Sequence, residues 1–159
     1  MPKGFYRRNL PHLQRDDKPH FITFCTYKRR VLPDWARSIV LDSCLRANNV
    51  TARLHAVVVM PDHVHMVFTP LLDAENSEPF SLAKITKAIK GSSAHLINHK
   101  TGIHDHIWQE ESFDRVLRSS EKLDEKVRYI LANPVRKGLV VRPEDYPWLW
   151  ESAMVSAKD

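Results

Sequence analysis

Two apolar, β-branched runs, "VTARLHAVVVM" (50–60) and "HVHMVFTP" (63–70), are separated only by Pro61 and Asp62. Proline locks φ and aspartate favours turns, so the chain has to reverse there. The expectation is two strands joined by a tight hairpin-like connection, with the rest of the chain packed around them. The second strand carries His63 and His65. Side chains at i and i+2 of a strand share a face, so these imidazoles stand side by side while Val64 points the other way into apolar packing. Val57–Met60 and Met66–Phe68 make the pair's strand central and rigid. Two imidazoles in this register can bind one divalent cation; two surface histidines on an exposed sheet face are the plainer alternative.

The remaining elements follow from periodicity and punctuation. Residues 19–28, "PHFITFCTYK", read as a strand from their β-branched and aromatic content. Residues 34–49 read as a helix, with Asp34 at a plausible N-cap and Ile39, Val40, Leu41, Cys44 and Leu45 on one face. Residues 71–80 read as a surface loop. Residues 81–99 form a second helix, capped by Ser81, with Leu82, Ile85, Ile89 and Leu96 at helical spacing and a possible bend at Gly91. After a polar loop, a short strand is expected around Phe113–Leu117. A third helix spans 120–133, with Ser120 as cap and Leu123, Val127, Ile130 and Leu131 as its apolar face. Pro134 is expected to end it. The aromatic tail is expected to dock, in a segment covering 134–159.

The order β-α-β-β-α-β plus a further helix predicts an α+β fold. Its form is a ferredoxin-like split βαβ, an antiparallel sheet with helices packed on one face. The length of 159 residues, with no repeat or linker, suits a single domain over 1–159. No window approaches the roughly 18 apolar residues of a membrane span. No secretory signal is read at the N-terminus, and the two cysteines lack metal spacing, so a cytoplasmic, nucleoid-associated protein is expected. The net charge is +5, and residues 1–30 concentrate the excess. A lopsided basic balance suits a polyanion partner, because each neutralised phosphate releases counterions.

Tyr129 and Asn133 lie four residues apart, on one face of the third helix. Asn133 offers an amide oxygen suited to a hard cation such as Mg²⁺ or Mn²⁺; a C-cap before Pro134 is its local alternative. Tyr129 offers a phenol, a poor nucleophile until a base or cation favours the phenolate; a half-buried helix tyrosine is its alternative.

The stretches "VVMPDHVHMVF", "WQEESFDRVLR" and "VRYILANPVRKGLV", in that order, resemble the small tyrosine transposases of the His-hydrophobe-His nuclease superfamily. More narrowly, they resemble the REP-associated tyrosine transposases of bacteria. The likeness runs roughly from "HFITFCTYKRR" to "EDYPW". It implies that His63 and His65 are paired metal ligands, that Asn133 takes the place of the polar helix ligand and that Tyr129 is the single nucleophile. It implies a divalent cation, Mg²⁺ or Mn²⁺, and a 5′-phosphotyrosine intermediate. It further implies cleavage and strand transfer on single-stranded DNA bearing a hairpin, by a monomer or a homodimer. The basic segment 1–18, with Arg7 and Arg8, fits the part that grips the hairpin.

Other cations could track a DNA backbone. They are Lys28, Arg29 and Arg30 after the first strand, then Lys84, Lys87 and Lys90 on the second helix. Arg115, Arg118, Arg136 and Lys137 flank the motif segments. Solvated surface charge is the plainer reading of each lysine. Tyr6, Trp108 and Phe113 could stack on bases, although core packing is the commoner fate of Trp108 and Phe113. Two other classes compete. A histidine-triad phosphohydrolase or transferase would need a third histidine where Val67 stands. A non-catalytic nucleic-acid-binding regulator would have no use for the complete Tyr129, His63, His65 and Asn133 set.

Overall fold

The computed structural model describes residues 18–152. Tyr6, Arg7, Arg8 and all of the basic segment but Lys18 lie outside them. In chain order the elements are β1 (His20–Cys25), α1 (Asp34–Arg46), β2 (Ala52–Val59), β3 (His63–Pro70), β4 (Leu72–Asp73), β5 (Glu78–Pro79), α2 (Leu82–Thr101), β6 (Phe113–Val116), α3 (Ser120–Arg136) and β7 (Leu149–Glu151). The main sheet is five-stranded, in the order β6-β1-β3-β2-β7, and every pairing in it is antiparallel. The hairpin at Pro61 and Asp62 supplies β3, the central strand, and β2, one of its two neighbours.

The helices do not share one face. Alternate residues of β1, β2 and β3 divide between two cores. Ile22, Phe24, Val57, Val59, Val64, Met66 and Phe68 pack with Val40 of α1 and Ile85 and Ile89 of α2. Phe21, Ala56, Val58 and Val67 pack on the opposite side with Val127 and Ile130 of α3. The expected one-sided arrangement holds for α1 and α2 only; α3 covers the other face. The physical reason is the near-continuous run Ala56–Met60, all of it buried. A strand without polar alternation needs cover on both faces. A β-bulge between Leu54 and Ala56 shifts the register against β3 and so lets Leu54 and Val57 face the same core.

Helix ends follow local chemistry, with three departures. The Ser81 hydroxyl accepts from Lys84 N–H as expected, and Gly91 leaves α2 unbroken. For α3 the cap is Ser119, not Ser120; its hydroxyl accepts from Lys122 N–H at 3.1 Å. Pro134 does not stop α3, which runs on to Arg136. A proline removes one N–H and crowds the preceding turn, but Asn133 and Pro134 are both buried, and packing holds this last turn. Similarly, Asp34 is the first residue of α1, and Pro33 stands at its N-cap.

Of the segment 134–159, expected to dock, residues 134–136 belong to α3 and 153–159 lie outside the described residues. β7 pairs with the β2 edge, and the Tyr146 hydroxyl donates to Val59 O at 2.6 Å. Cys25 and Cys44 are free thiols. Among the described residues no helix is long and apolar enough to cross a membrane.

The β2 bulge also sets a pH limit. His55 Nε2 lies 2.8 Å from Thr69 Oγ1. Burial, with help from Arg53, pushes the imidazole from 6.5 down to about 4. The folded state therefore binds fewer protons than the unfolded one. This contribution to stability is complete above pH 6.5 and fades as pH falls toward 4. About 2 kcal/mol should be lost by pH 4, after discounting for partial solvent screening. Urea midpoints between pH 7 and pH 4 test it: His55→Gln should flatten the decline, and an unchanged slope would count against the assignment.

Candidate functional site

His63 and His65 lie on the face of β3 that α3 covers, with their ring centroids 4.7 Å apart. Each ring is held through Nδ1, to the Asp62 carboxylate at 2.8 Å and to the Thr23 hydroxyl at 2.8 Å. A carboxylate only accepts, so His63 Nδ1 carries the proton, and in the neutral ring the lone pair is on Nε2. In both rings Nε2 is the nitrogen left for another partner. Burial first, then the charges of His63, Arg136, Lys126 and Lys137, pushes His65 down to about 3. That keeps it neutral, as a metal ligand must be.

Asp62 is itself anchored. Arg29 donates to its Oδ2 through Nε at 3.1 Å and Nη2 at 3.1 Å. Burial opposes ionisation of Asp62, but the hydrogen bonds from His63 and Arg29 outweigh it and hold the carboxyl below its ordinary range. Lys28 and Arg29 both adopt left-handed backbone, with φ of 56° and 53°. That conformation is uncommon for non-glycine residues, and it belongs to the turn that brings Arg29 onto Asp62.

α3 supplies the other half. Val127, Ile130 and Asn133 are buried on the sheet side of the helix. Tyr129 sits at its margin, 38% exposed. Its ring centroid is 5.6 Å from that of His65 and 6.0 Å, edge-on, from that of Phe21. Phe21 also stacks on His65 at 5.3 Å. Arg136 Cζ lies 4.3 Å and Lys126 Nζ 5.1 Å from the Tyr129 ring centre. Neither cation is ion-paired to a carboxylate among the described residues. Asn133, one turn beyond Tyr129, is fully buried, and neither polar atom of its amide has a hydrogen-bond partner among the described residues.

Those orphaned atoms bear on metal binding. No group of three or more His, Cys, Asp or Glu among the described residues could hold an ion. A third protein donor to a metal at the histidine pair would have to be of another kind. The Asn133 Oδ1 is one by its chemistry, since two imidazole nitrogens and an amide oxygen suit a divalent cation. An unpartnered buried amide is costly in a fold that has no use for it.

The basic residues separate into two sets. Arg136 and Lys137 lie at the end of α3 and contribute positive potential at His65. Arg115 is exposed on the edge strand, opposite Phe21, and Arg118 is exposed just beyond it. Lys84, Lys87 and Lys90 belong to α2, on the far side of the sheet from the histidines. Lys87 and Lys90 line a cleft there with Ile22 and Asp114. Lys90 Nζ donates to Gln109 O at 3.0 Å and Glu110 O at 3.3 Å, so it fastens a loop. In the basic turn, Arg29 is committed to Asp62 and Arg30 to Asp105 at 2.6 Å. Trp108 is core, its indole N–H donating to Ser93 Oγ at 3.0 Å, whereas Phe113 is 51% exposed. The structure adds Thr23, Asp62, Phe21 and Lys126 to the site. Of these, only Asp62 carries a sequence signal, its adjacency to His63.

A model of the family described as "Transposase IS200 like" matches residues 14–133. A REP-associated tyrosine transposase of Escherichia coli (strain K12) is 30% identical over 95 residues, 60% of this chain and 52% of that protein. The chain thus spans about half the length of this curated relative. The solved structure of a REP-associated tyrosine transposase bound to a REP hairpin matches with a TM-score of 0.64 at 22% identity, covering 92% of this chain and 82% of that one. A Deinococcus radiodurans R1 protein assigned as a transposase matches with a TM-score of 0.50 at 21% identity, covering 82% of this chain and 95% of that one. At these identities the two structures speak for the fold.

Proposed function

Because the chain belongs to the IS200-like transposase family, we propose that it is a metal-dependent, single-stranded DNA endonuclease and strand transferase of the REP-associated kind. Its nucleophile is Tyr129, and its substrate is hairpin-bearing repetitive DNA. The observation that carries this reading is the meeting of a strand-borne histidine pair with a helix-borne phenol, whose ring centroid is 5.6 Å from that of His65. Likeness to a relative whose structure holds a REP hairpin supports the substrate class.

Each residue has a part. His63, His65 and Asn133 would hold a divalent cation, which would supply polarisation of a phosphoryl oxygen. Asp62 and Thr23 fix the two imidazoles through Nδ1 and leave Nε2 for the cation, the usual work of a metal ligand's hydrogen-bond partner. Lys126 and Arg136, which pair with no carboxylate among the described residues, draw the anionic phosphate to the Tyr129 hydroxyl and offset its charge during attack. The Tyr129 oxygen forms a bond to phosphorus, and the bond to the 3′-oxygen breaks. The phenolic proton leaves to solvent, and the departing oxygen takes one up. The product is a 5′-phosphotyrosine and a free 3′-hydroxyl, and a later 3′-hydroxyl can reverse the step without ATP.

Incubation with a hairpin oligonucleotide and Mn²⁺ or Mg²⁺ should yield a covalent protein–DNA product whose mass maps to Tyr129. A chelator should abolish it, and duplex DNA should give none. Hairpin binding without an adduct under any cation would instead identify the non-catalytic regulator.

A further inference from the structure

Among the described residues, Phe113 at 51% and Tyr129 at 38% are the most exposed of the Phe, Tyr and Trp side chains. They flank the same site. On β1, Thr23 stands opposite Phe113 of β6 and opposite His65 of β3. The three form one cross-strand row, which places Phe113 two strands, about 10 Å, from His65. Phe21 fills the gap. It meets Phe113 edge-on at 6.5 Å and touches both His65 and Tyr129. Arg115 Cζ is 5.8 Å from the Phe113 ring centre, and Lys126 Nζ is 4.7 Å from that of Phe21. Arg115, like Lys126, has no carboxylate partner among the described residues. An open aromatic face flanked by unpaired cations, one ring away from a strand-cleaving tyrosine, suits a base attached to its own phosphate.

We propose that Phe113, supported by Phe21 and flanked by Arg115 and Lys126, is a stacking platform for one unpaired nucleobase next to the scissile phosphate. The platform rests on the reading of His63, His65 and Tyr129 as a strand-cleaving site and deepens it. It makes an unpaired nucleotide at one defined position a condition for efficient cleavage. Any base fits, because every base has a π-face, so the platform selects for strandedness and not for sequence.

The test uses hairpin oligonucleotides carrying 2-aminopurine at each unpaired position in turn, bound to the full chain bearing Tyr129→Phe so that no cleavage intervenes. One position should be quenched. Phe113→Ala should relieve the quenching, and Phe113→Trp should retain it. Circular dichroism confirms that each variant is folded. With Tyr129 intact, Phe113→Ala should slow single-turnover adduct formation about 10-fold. An abasic residue at the quenched position should slow it similarly, and the two losses should not multiply. Absence of a quenched position, quenching indifferent to Phe113→Ala, or losses that multiply would each overturn the platform. Failure of the intact protein to form an adduct with any hairpin would instead overturn the cleavage reading, while the quenching experiment still decides the platform.

Discussion

Tyr129→Phe should reduce covalent adduct formation at least about 10³-fold, the scale seen when a nucleophile is deleted, while hairpin affinity shifts less than about 2-fold. The change removes one oxygen from a ring that is 38% exposed. No hydrogen bond to that hydroxyl supports the fold among the described residues, since Tyr129 meets its neighbours as a ring, through His65, Phe21, Lys126 and Arg136. Phenylalanine keeps those contacts, so the unfolding midpoint should move little. Adduct yield and hairpin affinity, measured on the same preparation, separate the two roles. Adduct at the native rate from the Phe variant would remove Tyr129 as nucleophile.

The central hairpin is legible in the sequence because Pro61 and Asp62 stand alone between two long apolar runs. The histidine pair follows from the period of two. The second buried face is harder to see, although its signal is present: Ala56–Met60 has no polar alternation. A one-sided sheet would have left Ala56, Val58 and Val67 in water; α3 covers them. The cations are less legible still. Lys90 and Arg136 look alike in sequence, yet one ties down a loop and the other lies against Tyr129. Only the fold decides which side of the sheet each occupies. Residue type alone favours the core for Phe113. It is exposed because β6 is an edge strand, where packing partners run out.

Asn133→Leu should make the protein more stable and less active at once. The amide is fully buried, with neither Nδ2 nor Oδ1 hydrogen-bonded among the described residues. Such a group has given up water and received nothing in return, at a cost of about 1–3 kcal/mol. Leucine has a similar volume, no polar atoms and better helix propensity, so it should recover about 1–2 kcal/mol of that cost. A structural asparagine would behave in the opposite way, because its replacement would strand hydrogen-bond partners, and Asn133 has none among the described residues. Under the proposed function the same substitution also removes the third donor to the cation. The wild type should gain thermal stability on addition of Mn²⁺, since a ligand that binds only the folded state stabilises it by mass action; the variant should gain little. Thermal midpoints with and without Mn²⁺ read both effects in one experiment. A variant that loses stability in the absence of metal, or that keeps the full Mn²⁺ shift, would remove Asn133 from the cation site and leave the histidines in need of a different third partner.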